Sequence, residues 1–239
     1  MKTPKEYLIF PLDLPSYDEA MRYVELLKDH VGLFKVGLEL FISQGPAILK
    51  AISGAGAPGI FLDLKLHDIP ATVSRAFLAA CRYRPTFVTV HCDEGEGALK
   101  TVTENNPSNT GILAITVLTS LHSENMARMG YDPRFENNAL GLVLLRAKVA
   151  KKAGCHGIVC SGQEVAAVKK EFGDELLIVA PGIRPAWGKV AQDDQARIVT
   201  PGKAVRDGAD YIVVGRPIRD AADPLEAAKR IAEDIASAL

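Results

Sequence analysis

No block of like charge occurs anywhere in this chain. Its 28 lysines and arginines are balanced by 29 aspartates and glutamates, for a net charge of -1, so electrostatics make no case for nucleic acid or an anionic membrane as partner. Long apolar runs are also missing. The first, Tyr7 to Leu12, is closed by Asp13, which is too short for a membrane span or the core of a signal peptide, and a cytoplasmic protein is expected. The four cysteines, Cys81, Cys92, Cys155 and Cys160, form no C-x-x-C pair. In their apolar or strand-like surroundings they read as reduced core residues. The five histidines, His30, His67, His91, His122 and His156, have neither H-x-x-x-H nor H-x-H spacing, which argues against a zinc site. No G-x-G-x-x-G follows the first apolar run, which weakens a dinucleotide-binding fold. No linker or composition shift divides the chain, so residues 1–239 are expected to form a single domain.

What the chain has is 48% hydrophobic residues, arranged as a repeated alternation. Short apolar, β-branched runs predict strands at Tyr7–Leu12, Gly32–Gly37, Gly59–Leu66, Phe87–His91, Gly111–Leu118, Gly157–Cys160, Leu176–Ala180 and Tyr211–Val214. Between them, helical spacing predicts helices from Ser16 to His30, Gln44 to Ile52, Pro70 to Tyr83, Gly97 to Glu104, Asn138 to Ala153, Gln163 to Phe172, Gly202 to Asp207 and Leu225 to Ala238. An irregular piece is expected around Met129 to Pro133, and a long loop from Pro181 to Gln195. Continuous apolar strands, each followed by a helix, suit a parallel sheet covered by helices. Eight such units in a chain close to the usual ~250 residues argue for an α/β fold of the (β/α)8 TIM-barrel type. An open doubly wound sheet is the alternative.

The densest chemistry lies in Phe61-Leu62-Asp63-Leu64-Lys65-Leu66-His67-Asp68-Ile69-Pro70-Ala71-Thr72. Residues two apart in a strand share a side, so Asp63 and Lys65 face one way and the leucines the other. A buried ion is costly unless paired, and spacing alone fits either a structural Asp–Lys pair or a catalytic one. A barrel carries its active site at the C-terminal ends of its strands. Asp13 falls at the end of the first strand, Lys35 inside the second, Asp63, Lys65 and Asp68 at the third, and Thr119 and Ser120 after the fifth. Alternating charges at one mouth predict a compensated lysine–aspartate network. The last two strands run into Pro181-Gly182-Ile183-Arg184-Pro185 and Gly215-Arg216-Pro217-Ile218. Such loops frequently hold a phosphate in barrels, with glycine admitting the anion and arginine gripping it. A turn with a surface arginine is the plainer account of either loop alone.

These stretches, together with Asp194-Gln195-x-Arg197-Ile198-x-Thr200-Pro201, make the whole chain resemble orotidine 5'-monophosphate decarboxylase of the bacterial type. The D-x-K-x-x-D element also marks a wider group of phosphate-binding barrels, whereas the other three stretches in this order are more specific. The resemblance implies conversion of orotidine 5'-monophosphate to UMP and carbon dioxide in pyrimidine biosynthesis, without metal or organic cofactor, by a homodimer. By matching motif, Lys65 would protonate the carbon that loses carbon dioxide, with Asp63 beside the leaving carboxylate. Lys35 would hold the ribose and the charge network, and Asp13 the ribose. Asp68 and Thr72 would reach into the partner subunit's site. Thr119 or Ser120 would contact the pyrimidine, and Arg184, Gln195, Gly215 and Arg216 would surround the phosphate. The long loop from Pro185 to Gln195 would be a lid. The nearest rival is a sugar-phosphate aldolase or decarboxylase on the same barrel that binds Mg²⁺ through carboxylates. A non-catalytic phosphate-binding barrel is a second, but it would not need two lysines in its mouth.

Overall fold

The computed structural model describes residues 2–121, 123–188 and 199–239. Its elements run β1 (Leu8–Pro11), α1 (Tyr17–Leu27), β2 (Leu33–Val36), α2 (Leu38–Gln44), α3 (Ala47–Gly54), β3 (Ile60–Leu66), α4 (Pro70–Cys81), β4 (Phe87–His91), α5 (Gly95–Glu104) and β5 (Gly111–Ile115). They continue with α6 (Ser123–Arg128), α7 (Ala139–Lys152), β6 (Gly157–Val159), α8 (Val165–Phe172), β7 (Leu177–Ala180), α9 (Pro201–Arg206), β8 (Tyr211–Val213), α10 (Arg216–Arg219) and α11 (Pro224–Ala236). Neighbouring strands pair in parallel in chain order, and β8 returns to β1, closing the eight-stranded barrel.

The closed sheet sorts side chains by parity. Ile9, Leu33, Phe61, Phe87, Leu113, Val179 and Val213 point inward and pack on one another. Their neighbours, among them Leu8, Phe10, Phe34, Leu62, Val88, Ile112, Ile158, Ile178 and Ile212, form the layer beneath the helices. Aromatic rings brace the interior: Phe87 meets Phe61 edge-on at 6.4 Å and Tyr211 at 5.4 Å between centroids. The helices start where local chemistry lets them. Ser16 accepts from the Glu19 N–H ahead of α1, and Asp223 accepts from the Glu226 N–H ahead of α11. Proline occupies the first turn of α4, where an absent N–H costs little.

Four details depart from expectation. The predicted second helix, Gln44 to Ile52, is α3, starting at Ala47; an unpredicted helix, α2, precedes it and ends where Gly45 turns the chain with φ 63° ahead of Pro46. β5 stops at Ile115 rather than Leu118. A helix, α6, precedes the irregular piece, and the short α10 follows β8 at once. β3 is also irregular. Leu62 pairs with Val88 but Leu66 with Val90, so four steps of β3 run against two of β4. Lys65 adopts φ 50° inside this bulge, a conformation that costs a non-glycine residue on the order of 1–2 kcal/mol.

Since Phe87 is buried between two rings, Phe87→Ala is expected to destabilise the barrel by about 3–5 kcal/mol. Urea unfolding measures it, and a loss under ~1 kcal/mol would mean that the interior collapses around the gap.

Candidate active site

The polar residues at the mouth follow from register. Pro11, Lys35 and Phe61 lie level across β1, β2 and β3. Asp13 and Asp63 each stand two residues further along their strands, one layer higher. Lys35 therefore rises between two carboxylates. Its Nζ lies 2.8 Å from Asp13 Oδ1 and 3.7 Å from Asp63 Oδ2. Lys65 Nζ contacts the same Asp63 oxygen at 2.8 Å, and the Thr89 hydroxyl donates to Asp63 Oδ1 at 3.1 Å. The predicted alternating network thus exists as Asp13–Lys35–Asp63–Lys65. Asp68 stands outside it: exposed, it accepts the N–H of the next residue, Ile69.

Burial alone would push the Asp63 carboxyl toward its neutral form. The ammonium groups of Lys35 and Lys65, with hydrogen bonds from Lys65 and Thr89, outweigh that effect and hold it below the usual aspartate range. The side chains of Lys35 and Asp63 are 12% and 10% exposed, against 33% for Lys65. Lys65 is therefore the lysine with solvent access and a route to exchange a proton.

Two joined recesses open from this network. One, of about 200 Å³, is mainly apolar, lined by Phe61, Ile115, Val117, Leu118, Val159 and Val213, with Thr119, Cys160, Asp63 and Lys65 at its polar edge. Burial pushes the Cys160 thiol up, so it sits there as a neutral wall. The other recess, of about 400 Å³, is lined by Asp13, Gly182, Gly215, Arg184, Arg216 and Arg219. Lys35, Pro181 and Val213 border both. Gly182 turns the chain at φ 74° as it leaves β7, a conformation that favours glycine. A Cβ on Gly215 would come within 2.8 Å of Pro11 Cγ, so only glycine lets the end of β8 lie against β1. Arg184 is buried; its Nη1 donates to the Ile183 carbonyl and its backbone N–H to that of Val199. Three guanidinium groups around one recess suit an anion, although that of Arg219 is already ion-paired to Asp220 through Nε and Nη2. The first recess presents an ammonium to an apolar pocket, an arrangement that stabilises negative charge developing there.

Most residues predicted for the site fall together. Asp13, Lys35, Asp63, Lys65, Thr119, Arg184, Gly215 and Arg216 all line the recesses. Ser120 is exposed and outside the lining, and Thr72, on α4, lines neither recess. Gln195, with most of the expected lid, lies outside the described residues. Two further residues belong to the site although no motif points to them. Arg219 lies one turn after Arg216 on α10, and its Nη1 donates to the Asp13 carbonyl. Thr89 carries a weaker signal, a polar residue at an inward position of an apolar strand, which also marks Lys35. Beside the cleft, His67, His91 and Asp93 bring ligand-type atoms within 4.8 Å of one another. No motif spacing announces this group, because it joins β3 to β4. There Asp93 is ion-paired to Arg146.

Known proteins share both the sequence and the barrel. Residues 6–231 match the model of the "Orotidine 5'-phosphate decarboxylase / HUMPS family". An orotidine 5'-phosphate decarboxylase of Desulfosudis oleivorans is 49% identical over 239 residues, covering 100% of this chain and 96% of that protein. One from Methylococcus capsulatus is 47% identical over 228 residues, covering 95% and 91%. Among solved structures, orotidine 5'-phosphate decarboxylase from Lactobacillus acidophilus superposes with a TM-score of 0.81 at 35% identity, covering 95% of this chain and 98% of that one.

The depressed Asp63 carboxyl has a consequence for stability. In acid it binds fewer protons folded than unfolded, so its contribution is full above the ordinary aspartate value of about 4 and is lost as pH falls through the lower folded value. The stability difference between wild type and Asp63→Asn, from urea unfolding, is expected to shrink between about pH 6 and about pH 3. A difference independent of pH would take Asp63 out of the charge network.

Proposed function

Because the chain belongs to the orotidine 5'-phosphate decarboxylase / HUMPS family, we propose that it decarboxylates orotidine 5'-monophosphate to UMP, a step of pyrimidine biosynthesis. The observation that carries this is the Asp63–Lys65 pair at the edge of an apolar recess, joined through Lys35 to an arginine-lined one. The pyrimidine enters the first recess against Thr119. The ribose hydroxyls meet Asp13 and Lys35 where the recesses join. The phosphate takes the second, among Arg184, Arg216 and the backbone at Gly215, with Gln195 completing its shell.

The chemistry needs no bound helper. As the ring–carboxylate bond breaks, its electron pair stays on the ring carbon, which delocalises it poorly. The Lys65 ammonium places positive charge where that negative charge grows, then gives its proton to the carbon. Its exposure lets solvent restore the proton. Asp63 holds Lys65 in place and lies beside the departing carboxylate. Phosphate binding, remote from the reacting carbon, supplies energy that is expressed in the transition state. The Mg²⁺-dependent aldolase reading fits less well. A hard cation needs free carboxylate oxygens, and here the ammonium groups of Lys35 and Lys65 already engage Asp13 and Asp63.

A homodimer with shared sites accounts for what one chain leaves over. Asp68 and Thr72 line neither recess of their own chain, Ile69 between them is 66% exposed, and Ile42 on α2 is 78% exposed. Large exposed apolar side chains on the elements around a mouth suit a second copy. The cytoplasm is the expected setting, consistent with four free, buried cysteines. Among the described residues no helix is long and apolar enough to cross a membrane.

Two measurements test this reading. The protein is expected to consume orotidine 5'-monophosphate, followed by its ultraviolet absorbance, at an unchanged rate in excess EDTA, while Lys65→Ala loses at least about 10²–10⁴-fold in kcat. Dependence on a divalent ion would favour the aldolase reading, and an active Lys65→Ala would remove Lys65 as proton donor. For the shared site, inactive Lys65→Ala and inactive Asp68→Ala subunits are mixed under exchange. Random pairing restores one wild-type site in half the dimers, about a quarter of full activity. No recovery despite demonstrated exchange would confine Asp68 to its own chain.

A further inference from the structure

Lys65 has a left-handed backbone, φ 50°, at the bulge where four steps of β3 run against two of β4. The surplus carries the Lys65 N–H out of the ladder. It donates instead to a side chain, the hydroxyl of Thr89, at 2.8 Å. That hydroxyl is fully buried and in turn donates to Asp63 Oδ1 at 3.1 Å. A hydroxyl has one proton. With its oxygen accepting from the Lys65 backbone, the proton goes to Asp63. Oδ1 is thereby occupied, and Oδ2 is the oxygen that faces Lys65 Nζ at 2.8 Å and Lys35 Nζ at 3.7 Å.

We propose that Thr89 is a positioning residue for decarboxylation: through one hydroxyl it holds the Lys65 backbone in the bulge and aims Asp63 at both lysines. This role rests on Lys65 being the proton donor. It gives a task to a side chain that need not touch substrate, on a strand that supplies none of the ionic groups. Valine in its place keeps the shape and the strand preference but can neither accept from Lys65 N–H nor donate to Asp63. Serine can do both.

The test uses the full-length protein with orotidine 5'-monophosphate as substrate. Thr89→Val is compared with wild type, and Thr89→Ala with Thr89→Ser; the second pair differs only by the hydroxyl at equal loss of the methyl group. Each hydroxyl-lacking variant is expected to lose about 10–100-fold in kcat against its counterpart, the scale of a misplacement of about 1 Å at a catalytic group. KM should stay within about threefold, because the arginine-lined recess is untouched. A purely structural role would lower the melting temperature without this split. If kcat stays within about threefold for both pairs, or the loss is all in KM, the proposal is overturned; if Thr89→Val does not fold, the Ala and Ser pair decides alone. Lys65→Ala is run alongside. Were it active, the reading of Lys65 would fail. Were it inactive while Thr89→Val and Thr89→Ala keep full kcat, only the role of Thr89 would fail.

Discussion

The buried Asp63 carboxylate is the constraint on which the rest of the site depends. Alone, it would be an uncompensated charge inside a barrel; without it, Lys35 and Lys65 would be two cations beside one apolar pocket. The two most buried members of the Asp13–Lys35–Asp63–Lys65 series, Lys35 and Asp63, are tolerable because their neighbours are present. The barrel builds the series through register. Lys35 lies level with Pro11 and Phe61, so its long side chain reaches up between Asp13 and Asp63 in the layer above. A slip of one residue between β2 and β3 would turn one of the two charges toward the helices. Strand pairing and charge pairing therefore specify the same arrangement.

The division into two recesses separates binding from chemistry. The arginine-lined recess attracts charge but offers no group beside an apolar wall. The apolar recess offers such a group, Lys65, but nothing to hold a small ligand tightly. Lys35 borders both. In the proposed reaction this lets the phosphate supply affinity while the apolar walls around the pyrimidine keep water away, and a drier pocket strengthens the field of the ammonium.

Much of this is legible in the amino-acid sequence, because it rests on period-two and period-3.6 patterning. The eight apolar strands are visible there, and with them the mouth residues at their ends. Alternation sets Asp63 and Lys65 on one face, although it gives no sign of the bulge that pairs Leu66 with Val90. What stays hidden depends on contacts between strands distant in sequence. The choice of Thr119 over Ser120 is made by how the chain turns after β5 stops early at Ile115. Arg219 joins the recess only because α10 begins at once after β8. The His67, His91 and Asp93 group spans two strands, so no spacing within either could reveal it. The boundary between α2 and α3 at Gly45 and Pro46, by contrast, is readable from turn chemistry alone.

The bulge explains why the residue at 65 is a lysine despite its backbone. Glycine would relieve the left-handed strain but leave no ammonium at the pocket, and a regular strand would keep the ammonium but hold the Lys65 N–H in the ladder, away from Thr89. Strain of this kind persists only where surrounding contacts over-determine it. Here there are three such contacts: Leu66 re-enters pairing with Val90, the Lys65 N–H is taken by Thr89, and the side chain is drawn to Asp63. The last two meet at one carboxylate, since Thr89 also donates to Asp63. The backbone of Lys65 and the orientation of its ionic partner are thus coupled through a single hydroxyl. That coupling makes the position of the ammonium a property of β4 as much as of the strand that carries it.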